Sequence, residues 1–367
     1  MTHLKELPMP LLKRLTPVAA LAALAVLGAC GGDTVGPEAV NPTDVAASVS
    51  DLSNAITSNA AFQSLGALSG QTFAAVSAFR ASLPTRLSGS LTADRARFAA
   101  TVAARRTAMN LFASTRSPRG AQALFPANVL GKTYTWDAVQ DQYVQGALTG
   151  APANGVRFVL YSVDPVTGMP SETPLTTIGS VDLTDESTPQ ADVIGVLVRF
   201  GTQTVADYDI SGVTTQTSVS LSAVGYLAGV TGGNRVDFDL ETTLSALGGA
   251  GQLDVNYHVQ GSNGVVIDIV VSGSDASLTI DVRVSHGRDN SIQLVGTGTA
   301  TTVDLQIKYN GTVVATVTGD GDNPTFTGAN GHALTQVEIA ALLGIFVRAF
   351  EFVDELNGVF NPGYLIF

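Results

Sequence analysis

The stretch Leu-Thr-Ile-Asp-Val-Arg-Val-Ser at residues 278–285 decides the fold, because apolar and polar side chains alternate along it without a break. This period of two is that of a β-strand with one buried face and one solvated face. Residues 253–259 and 303–309 repeat the pattern. We therefore predict a β region over residues 133–327, with seven successive strands between residues 236 and 319.

The connections between these strands are short. Asn310-Gly311 is typical of a two-residue hairpin turn, whose central residues both need a positive φ. Tight turns join neighbouring strands antiparallel, because a parallel crossover needs a dozen or more residues. The sequence thus predicts a long antiparallel meander, and a sheet of more than about ten strands curls. Further strands are expected near 156–163, 176–183, 192–200, 203–210 and 214–227.

Helical patterns flank the β region. Val45, Val49, Leu52 and Ile56 recur at helical spacing, and Asp44 is a candidate N-cap. Further helices are expected near 71–79 and 92–112.

At the other end of the chain, Thr335 and Glu338 have the spacing of a capping box. An apolar run follows at 339–353, and Asn357-Gly358 is typical of a helix end. Because this run is apolar on nearly all sides, we expect the C-terminal helix to be buried.

The predicted fold class is α+β: a curved, half-barrel-like antiparallel meander with a helical N-terminal segment and a buried C-terminal helix. The predicted segments are helical (44–120), antiparallel β (121–330), and C-terminal helix and tail packed on the sheet (331–367). Together, 44–367 form one domain. In outline the arrangement is similar to the bacterial lipoprotein carrier families of the LolA and LolB type. That similarity is one of fold, and it transfers no functional residue.

The N-terminus carries a different signal. Lys13 and Arg14 precede an apolar run at 15–27, and the run ends in Leu27-Gly28-Ala29-Cys30. The run is too short to span a bilayer, and it has no polar face like that of a cytosolic amphipathic helix. The order of these pieces resembles the lipobox signal of bacterial lipoprotein precursors.

The resemblance implies export, cleavage between Ala29 and Cys30, and acylation of Cys30, so that acyl chains hold the protein on a membrane. Residues 1–29 would then be a signal peptide and 30–43 a lipidated tether. Gly31 after the lipidated cysteine favours the bacterial outer membrane, with the body facing the periplasm or the cell surface.

The net charge of the chain limits the kinds of partner that it can bind. The chain has 19 basic and 31 acidic residues, a net charge of −12. Cleavage before Cys30 removes three basic residues and one acidic residue, which argues further against nucleic acid as a partner. Residues 80–119 are the exception, since this segment contains eight arginines and only one acidic residue, Asp94. They form either a patch for anionic lipid headgroups or a face that is solvated or paired with the acidic sheet.

Two acidic groups are weak metal candidates. Asp237, Asp239 and Glu241 alternate along one strand and could offer oxygen ligands to a hard cation, although the solvated face of a sheet has the same pattern. Asp320 and Asp322 resemble the start of a calcium loop, although a turn explains them as well. We identify no cofactor, metal or nucleotide motif, and we predict no enzymatic activity. One alternative stays open: a hydrolase whose catalytic triad is dispersed along the chain.

Three functions fit this sequence. The first is a non-catalytic lipoprotein that binds a lipid-like or other apolar ligand between its sheet and helices. The second is a structural or interaction lipoprotein with a filled core and an envelope protein as partner. The third is an outer-membrane β-barrel, which the apolar helix and the small number of aromatic residues disfavour. The sequence leaves the oligomeric state open.

Overall fold

The computed structural model describes residues 42–57, 59–70, 124–164, 167, 169–229, 235–245, 251–274, 276–287, 290–299, 301–320, 324–360 and 362. Helices are α1 (Pro42–Thr57), α2 (Ala60–Gly70) and α3 (Gln336–Leu356), and a 3₁₀-helix (Asn357–Phe360) follows α3. The strands are β1 (Lys132–Asp137), β2 (Gln142–Gln145), β3 (Gly155–Tyr161), β4 (Thr177–Asp185), β5 (Asp192–Phe200), β6 (Gln203–Thr214), β7 (Ser218–Ala228), β8 (Arg235–Ser245), β9 (Gln252–Gly261), β10 (Val265–Gly273), β11 (Leu278–His286), β12 (Ser291–Gly298), β13 (Thr302–Tyr309), β14 (Thr312–Asp320) and β15 (Thr325–Gly328).

These strands form one sheet. From β3 to β15 each strand pairs antiparallel with the next, which confirms the long curved meander. The seven strands predicted between residues 236 and 319 are β8 to β14. The start of the sheet differs from a simple meander, because β1 pairs antiparallel with β2 and parallel with β3. After β1 the chain turns back to form β2 on one edge of β1. It then turns again and forms β3 on the other edge of β1, so β1 and β3 run in the same direction.

The alternating pattern gives the sheet two unlike faces. The inner face carries apolar side chains such as Val259, Ile267 and Leu240, each with none or almost none of its surface exposed. The outer face carries the polar partners of the same strands, and there His258 Nδ1 lies 2.6 Å from Asp268 Oδ1. Burial of the inner-face residues supplies most of the stabilisation, at about 25 cal/mol per Å² of apolar surface.

All three α-helices of the described residues pack on the apolar side of the sheet. α1 contacts β7, β8, β10, β11 and α3, whereas α2 contacts β3 to β5. Polar links fix both helices: the Asn263 side chain donates to the Ser48 carbonyl at 2.9 Å, and the Tyr161 amide donates to the Ser64 hydroxyl at 3.2 Å. The second bond satisfies an amide at the irregularity between Leu160 and Tyr161, where the pairing of β3 with β4 shifts register.

Two predicted local structures are confirmed in detail. Asn310 and Gly311 have φ angles of 46° and 81°, as the hairpin turn between β13 and β14 requires. At the start of α3, the Thr335 amide donates to Glu338 Oε2 at 2.8 Å, and the Glu338 amide donates to the Thr335 hydroxyl at 3.4 Å. This reciprocal pair is the capping box, and it begins α3 one residue after Thr335.

The first helix begins earlier than we predicted. α1 starts at Pro42, so Asp44 is inside the helix and is not its N-cap, and the expected tether at 30–43 overlaps the helix. Proline fits the first turn of a helix because its fixed φ is helical and its missing amide would have no partner there. The helices expected at 71–79 and 92–112 lie outside the described residues.

Two ion pairs that share one buried carboxylate join three strands on the outer face. Asp182 of β4 is 6% exposed and accepts from Arg157 Nε of β3 at 2.6 Å and from Arg199 Nη1 of β5 at 2.8 Å. Burial by itself would raise the pKa of Asp182, but the hydrogen bonds from Arg157 and Arg199 outweigh it and hold the pKa below its ordinary value.

This lowered pKa predicts a pH dependence of stability. The carboxylate stabilises the folded state above its ordinary pKa of about 4, and the stabilisation is lost as the pH falls through the lower folded value. We expect Asp182→Asn to cost about 2 kcal/mol at pH 7 and progressively less below pH 4, measured by urea unfolding. Asp237→Asn, at the half-exposed Arg235–Asp237 pair, is the control and should cost less than about 1 kcal/mol. A cost of Asp182→Asn that stays constant down to acid pH would contradict this explanation.

Candidate functional site: an apolar trough near the C-terminal helix

The inner face is less completely covered towards its last strands. Val271 of β10 and Val282 of β11 have no exposed surface, because they lie in the core that α1 and α3 help to cover. Ile280 of β11 and Leu305 of β13, on the same face, are only half-buried. The apolar face of β11 to β13 therefore keeps partial access to solvent.

Two glycines lie between these half-buried side chains. On β12, Gly296 pairs with Ile280 on one side and with Leu305 on the other. Gly298, two residues further along the same face, pairs with Leu278 and Val303 in the same way. Since paired residues project to the same face, a strip without side chains runs between two apolar walls. We call these six residues the apolar trough.

α3 lies on the same side of the sheet. The chain passes from β15 to α3 directly, and the Leu334 amide donates to the Phe326 carbonyl at 3.1 Å just before the helix begins. α3 contacts β11, and its half-buried Leu342 and Leu343 pack against the same core. Phe346 and Phe352, further along α3, are almost fully buried, while Arg348 is exposed. The helix thus buries one face along the core.

The chemistry of the trough is that of a hydrocarbon surface. Its four walls, Leu278, Ile280, Val303 and Leu305, are aliphatic and can neither ionise nor act as nucleophiles. They can bind an apolar group by removing their own surface and that of the ligand from water, about 0.8 kcal/mol for each methylene buried. No cofactor is implied by such side chains.

A second depression is polar and too small for a comparable ligand. Val49, Ser50, Ser53, Asn54, Arg348 and Glu351 line a space of about 90 Å³ between α1 and α3. The Ser53 hydroxyl of α1 donates to Glu355 of α3 at 2.6 Å and links the two helices beside it, while Arg348 donates to Glu351 within α3 at 2.7 Å. Pockets for drug-sized ligands have volumes of about 300 Å³ or more. We therefore place the candidate site at the trough.

The predicted carboxylate group lies on the opposite, outer face. Asp237, Asp239 and Glu241 do project from one face of β8, but each has its own neighbours: Arg235 Nε is 2.9 Å from Asp237, and the Ser220 hydroxyl is 3.2 Å from Glu241. Asp239 lies opposite His258 of β9. Among the described residues no group of three acidic, histidine or cysteine side chains is arranged to hold a metal ion.

The remaining predicted sites have little or no structural description. Asp320 is exposed at the end of β14, and Asp322 lies outside the described residues. So do Ala29 and Cys30 at the predicted cleavage and lipidation site, and the arginine-rich segment 80–119. Of the helices that the structure describes, none is both long enough and apolar enough to cross a bilayer.

The trough was not predicted from the sequence, although a signal for it exists. Gly296 and Gly298 occupy alternate positions of a strand, so both must lie on one face. Their partners on β11 and β13 are known only once the register of three strands is fixed, and the alternation pattern alone does not fix it. No protein-family model, no curated protein and no solved structure matches the chain.

Proposed function

We propose that this chain is a non-catalytic lipoprotein, held on the bacterial outer membrane by acyl chains on Cys30, that binds a lipid-like ligand in the apolar trough. The observation that carries the proposal is the glycine strip between two walls of half-buried aliphatic side chains. A sheet that only needed a filled core would place a side chain at Gly298, where an ideal Cβ meets only the Thr302 carbonyl oxygen at 3.9 Å, because voids in a core cost stability. Gly296 is a glycine for a backbone reason, since it has φ +153° and lies too close to the Asp304 carbonyl of β13 to carry a side chain.

The shape of the trough supports an elongated ligand. The strip is one strand wide, and neighbouring strands are about 4.8 Å apart, so its two walls are about 10 Å apart between backbones. That spacing, reduced by the wall side chains, suits a single acyl chain better than a bulky ring system. The ligand would bind through burial of its methylenes, and no chemical step is part of the proposal.

Filling the trough should weaken ligand binding. An ideal Cβ on Gly298 has only the Thr302 carbonyl oxygen near it, at 3.9 Å, so a larger side chain fits there without a backbone clash. We expect Gly298→Leu to weaken binding of a fluorescent fatty-acid probe by about tenfold or more, measured by titration of the full mature chain. Its unfolding free energy should change little, because the new side chain covers apolar surface.

Thr297→Leu is the matched control. It adds the same side chain one residue earlier, on the exposed outer face of β12, and should leave probe binding unchanged. Equal affinity of the native chain and the Gly298→Leu variant would count against the trough as the site, as would equal weakening by both leucine variants.

A second candidate function rests on the other half of the inner face. Val49 and Leu52 of α1 and Val259 of β9 have no exposed surface, so the core beneath α1 is filled. A tethered structural protein that binds an envelope partner through its surface would have such a core. In that case the native chain would bind no fatty-acid probe, and a partner protein would co-purify with it.

A further inference from the structure

The apolar trough has one closed end and one open end. Leu294 lies on β12 two residues before Gly296, so its side chain projects from the same inner face as the two glycines. It is 8% exposed, whereas Gly296 and Gly298 are only half-buried. Burial along this part of β12 therefore increases from Gly298 towards Leu294.

The two walls of the trough become fully buried at the level of Leu294. Leu294 pairs with Val282 of β11 on one side and with Ile307 of β13 on the other, and neither partner has any exposed surface. Each of them lies two residues beyond the half-buried wall residue of its own strand, Ile280 or Leu305. The trough therefore ends at this row, where the Leu294 side chain fills the strip that the glycines leave open.

The other end of the trough meets solvent. Gly298 is the last residue of β12, and Thr302 is the first residue of β13. The Thr299 amide donates to the Thr302 carbonyl at 2.8 Å, which makes a tight turn, and both threonines are exposed. An ideal Cβ on Gly298 would have only the Thr302 carbonyl oxygen within 4 Å, so a ligand can enter past this glycine.

The difference between the two ends determines how an amphiphile binds. The three side chains at the closed end, Leu294, Val282 and Ile307, are aliphatic and carry no hydrogen-bond donor or acceptor. A polar group placed there would lose its hydration without replacement, which is costly. The hydrocarbon end of a ligand must therefore lie towards Leu294, and its polar end must stay at the exposed turn after Gly298.

The distance from the open end to Leu294 limits the length of chain that can be buried. Gly298 and Leu294 are four residues apart in one strand, which is about 13 Å. The leucine occupies its own half of the spacing to Gly296, about 3 Å, and leaves about 10 Å for a ligand. A carbon–carbon bond is about 1.5 Å long, so an extended chain advances about 1.3 Å per carbon and about eight carbons fit.

We infer that Leu294 is the specificity-determining residue of the trough and limits it to a single alkyl or acyl chain of about eight carbons, bound with its methyl end against the leucine. The inference rests on the proposed function, since it requires that the trough binds a lipid-like ligand. It goes further by assigning the length of the buried chain, the orientation of the ligand and the residue that sets both.

Displacement of the fluorescent fatty-acid probe by straight-chain fatty acids of different lengths tests the inference on the full mature chain. We expect the affinity to rise about fourfold with each added methylene until the trough is full, at about eight carbons, and to stay constant for longer chains. In Leu294→Ala this break should move to about eleven carbons, because removing the end of the leucine side chain frees space for about three methylenes.

Leu240→Ala is the matched control. Leu240 of β8 projects from the same inner face and has no exposed surface, and three strands separate β8 from β12. The same substitution there opens a cavity that does not join the trough, so the break should stay at its native length. Leu294→Val is a smaller change and should move the break by about one carbon, so the effect is measured even if Leu294→Ala does not fold.

The outcomes separate this inference from the proposed function. If the native chain binds neither the probe nor any fatty acid, the proposed function fails and the inference fails with it. If fatty acids bind but their affinity rises steadily to the longest chain, or if both Leu294 variants keep the native break, the trough still binds lipid and Leu294 does not set the chain length. An equal shift in Leu240→Ala would assign the effect to general loosening of the core and would also overturn the inference.

Discussion

Replacing Cys30 with serine is expected to abolish labelling of this protein by an alkyne-tagged palmitate in its host. The sulfur is the predicted acceptor of the lipid, and Cys30 is the single cysteine of the chain, so no other thiol can take its place. Because processing of such precursors depends on the modified cysteine, we also expect the variant to keep residues 1–29. Gel fluorescence of the labelled protein and mass spectrometry of its N-terminus measure both effects.

Thr34→Ser, in the predicted tether, keeps the thiol and should be labelled and cleaved like the native chain. The lipoprotein prediction would fail if the Cys30→Ser variant still carried label, or if the mature native chain began at a residue other than Cys30. A single acyl chain gives only marginal membrane binding, so stable attachment would require more than one chain on this residue.

A Gly225→Val variant is expected to lose about 4 kcal/mol of stability or to fail to fold. Gly225 of β7 has φ +152°, and an ideal Cβ there would clash with the Asp207 carbonyl oxygen of β6. Its partners across the sheet are Tyr208 and Phe238, whose rings lie 5.7 Å apart, edge to face, over the glycine. A valine would be strained in its backbone and would force the two strands apart.

Gly201→Ala is the control for the effect of a positive φ alone. Gly201 has φ +57° in the turn between β5 and β6, and a Cβ there would meet no atom within 4 Å. We expect it to cost about 1 kcal/mol in urea unfolding, since only backbone strain opposes the alanine. Costs for the two variants that agree within about 1 kcal/mol would refute the role of close strand packing at Gly225.

The features predicted correctly are those that local sequence determines. The alternation at 278–285 specifies a strand with one buried face, and Asn310-Gly311 specifies the turn that joins β13 to β14. The Thr335–Glu338 pair specifies the start of α3. In each case the residues that interact are neighbours in the chain or alternate along one strand, so no knowledge of distant contacts is needed.

The features missed depend on contacts between distant residues. The pairing of Arg157 with Asp182 joins side chains 25 positions apart, and the parallel pairing of β1 with β3 also joins residues that are distant in the chain. The trough needs the register of β11, β12 and β13 together. A pattern of alternation indicates which residues share a face, but it does not indicate which residue of the next strand lies opposite.

The two faces of the sheet thus differ in their chemistry. The inner face combines a filled core beneath α1 with an apolar trough at β11 to β13, and the outer face combines exposed carboxylates with one arginine-bound aspartate. A tether at the N-terminus would hold both faces near a membrane.

The central claim, that the trough holds a lipid-like ligand, is tested most directly by native mass spectrometry of the mature protein extracted gently from its own membrane. We predict a second species heavier than the protein by one non-covalent amphiphile, and we predict that this species is absent from Gly298→Leu and present in Thr297→Leu. Detection of the native protein only at the mass of the acylated chain, with no bound amphiphile, would contradict the claim.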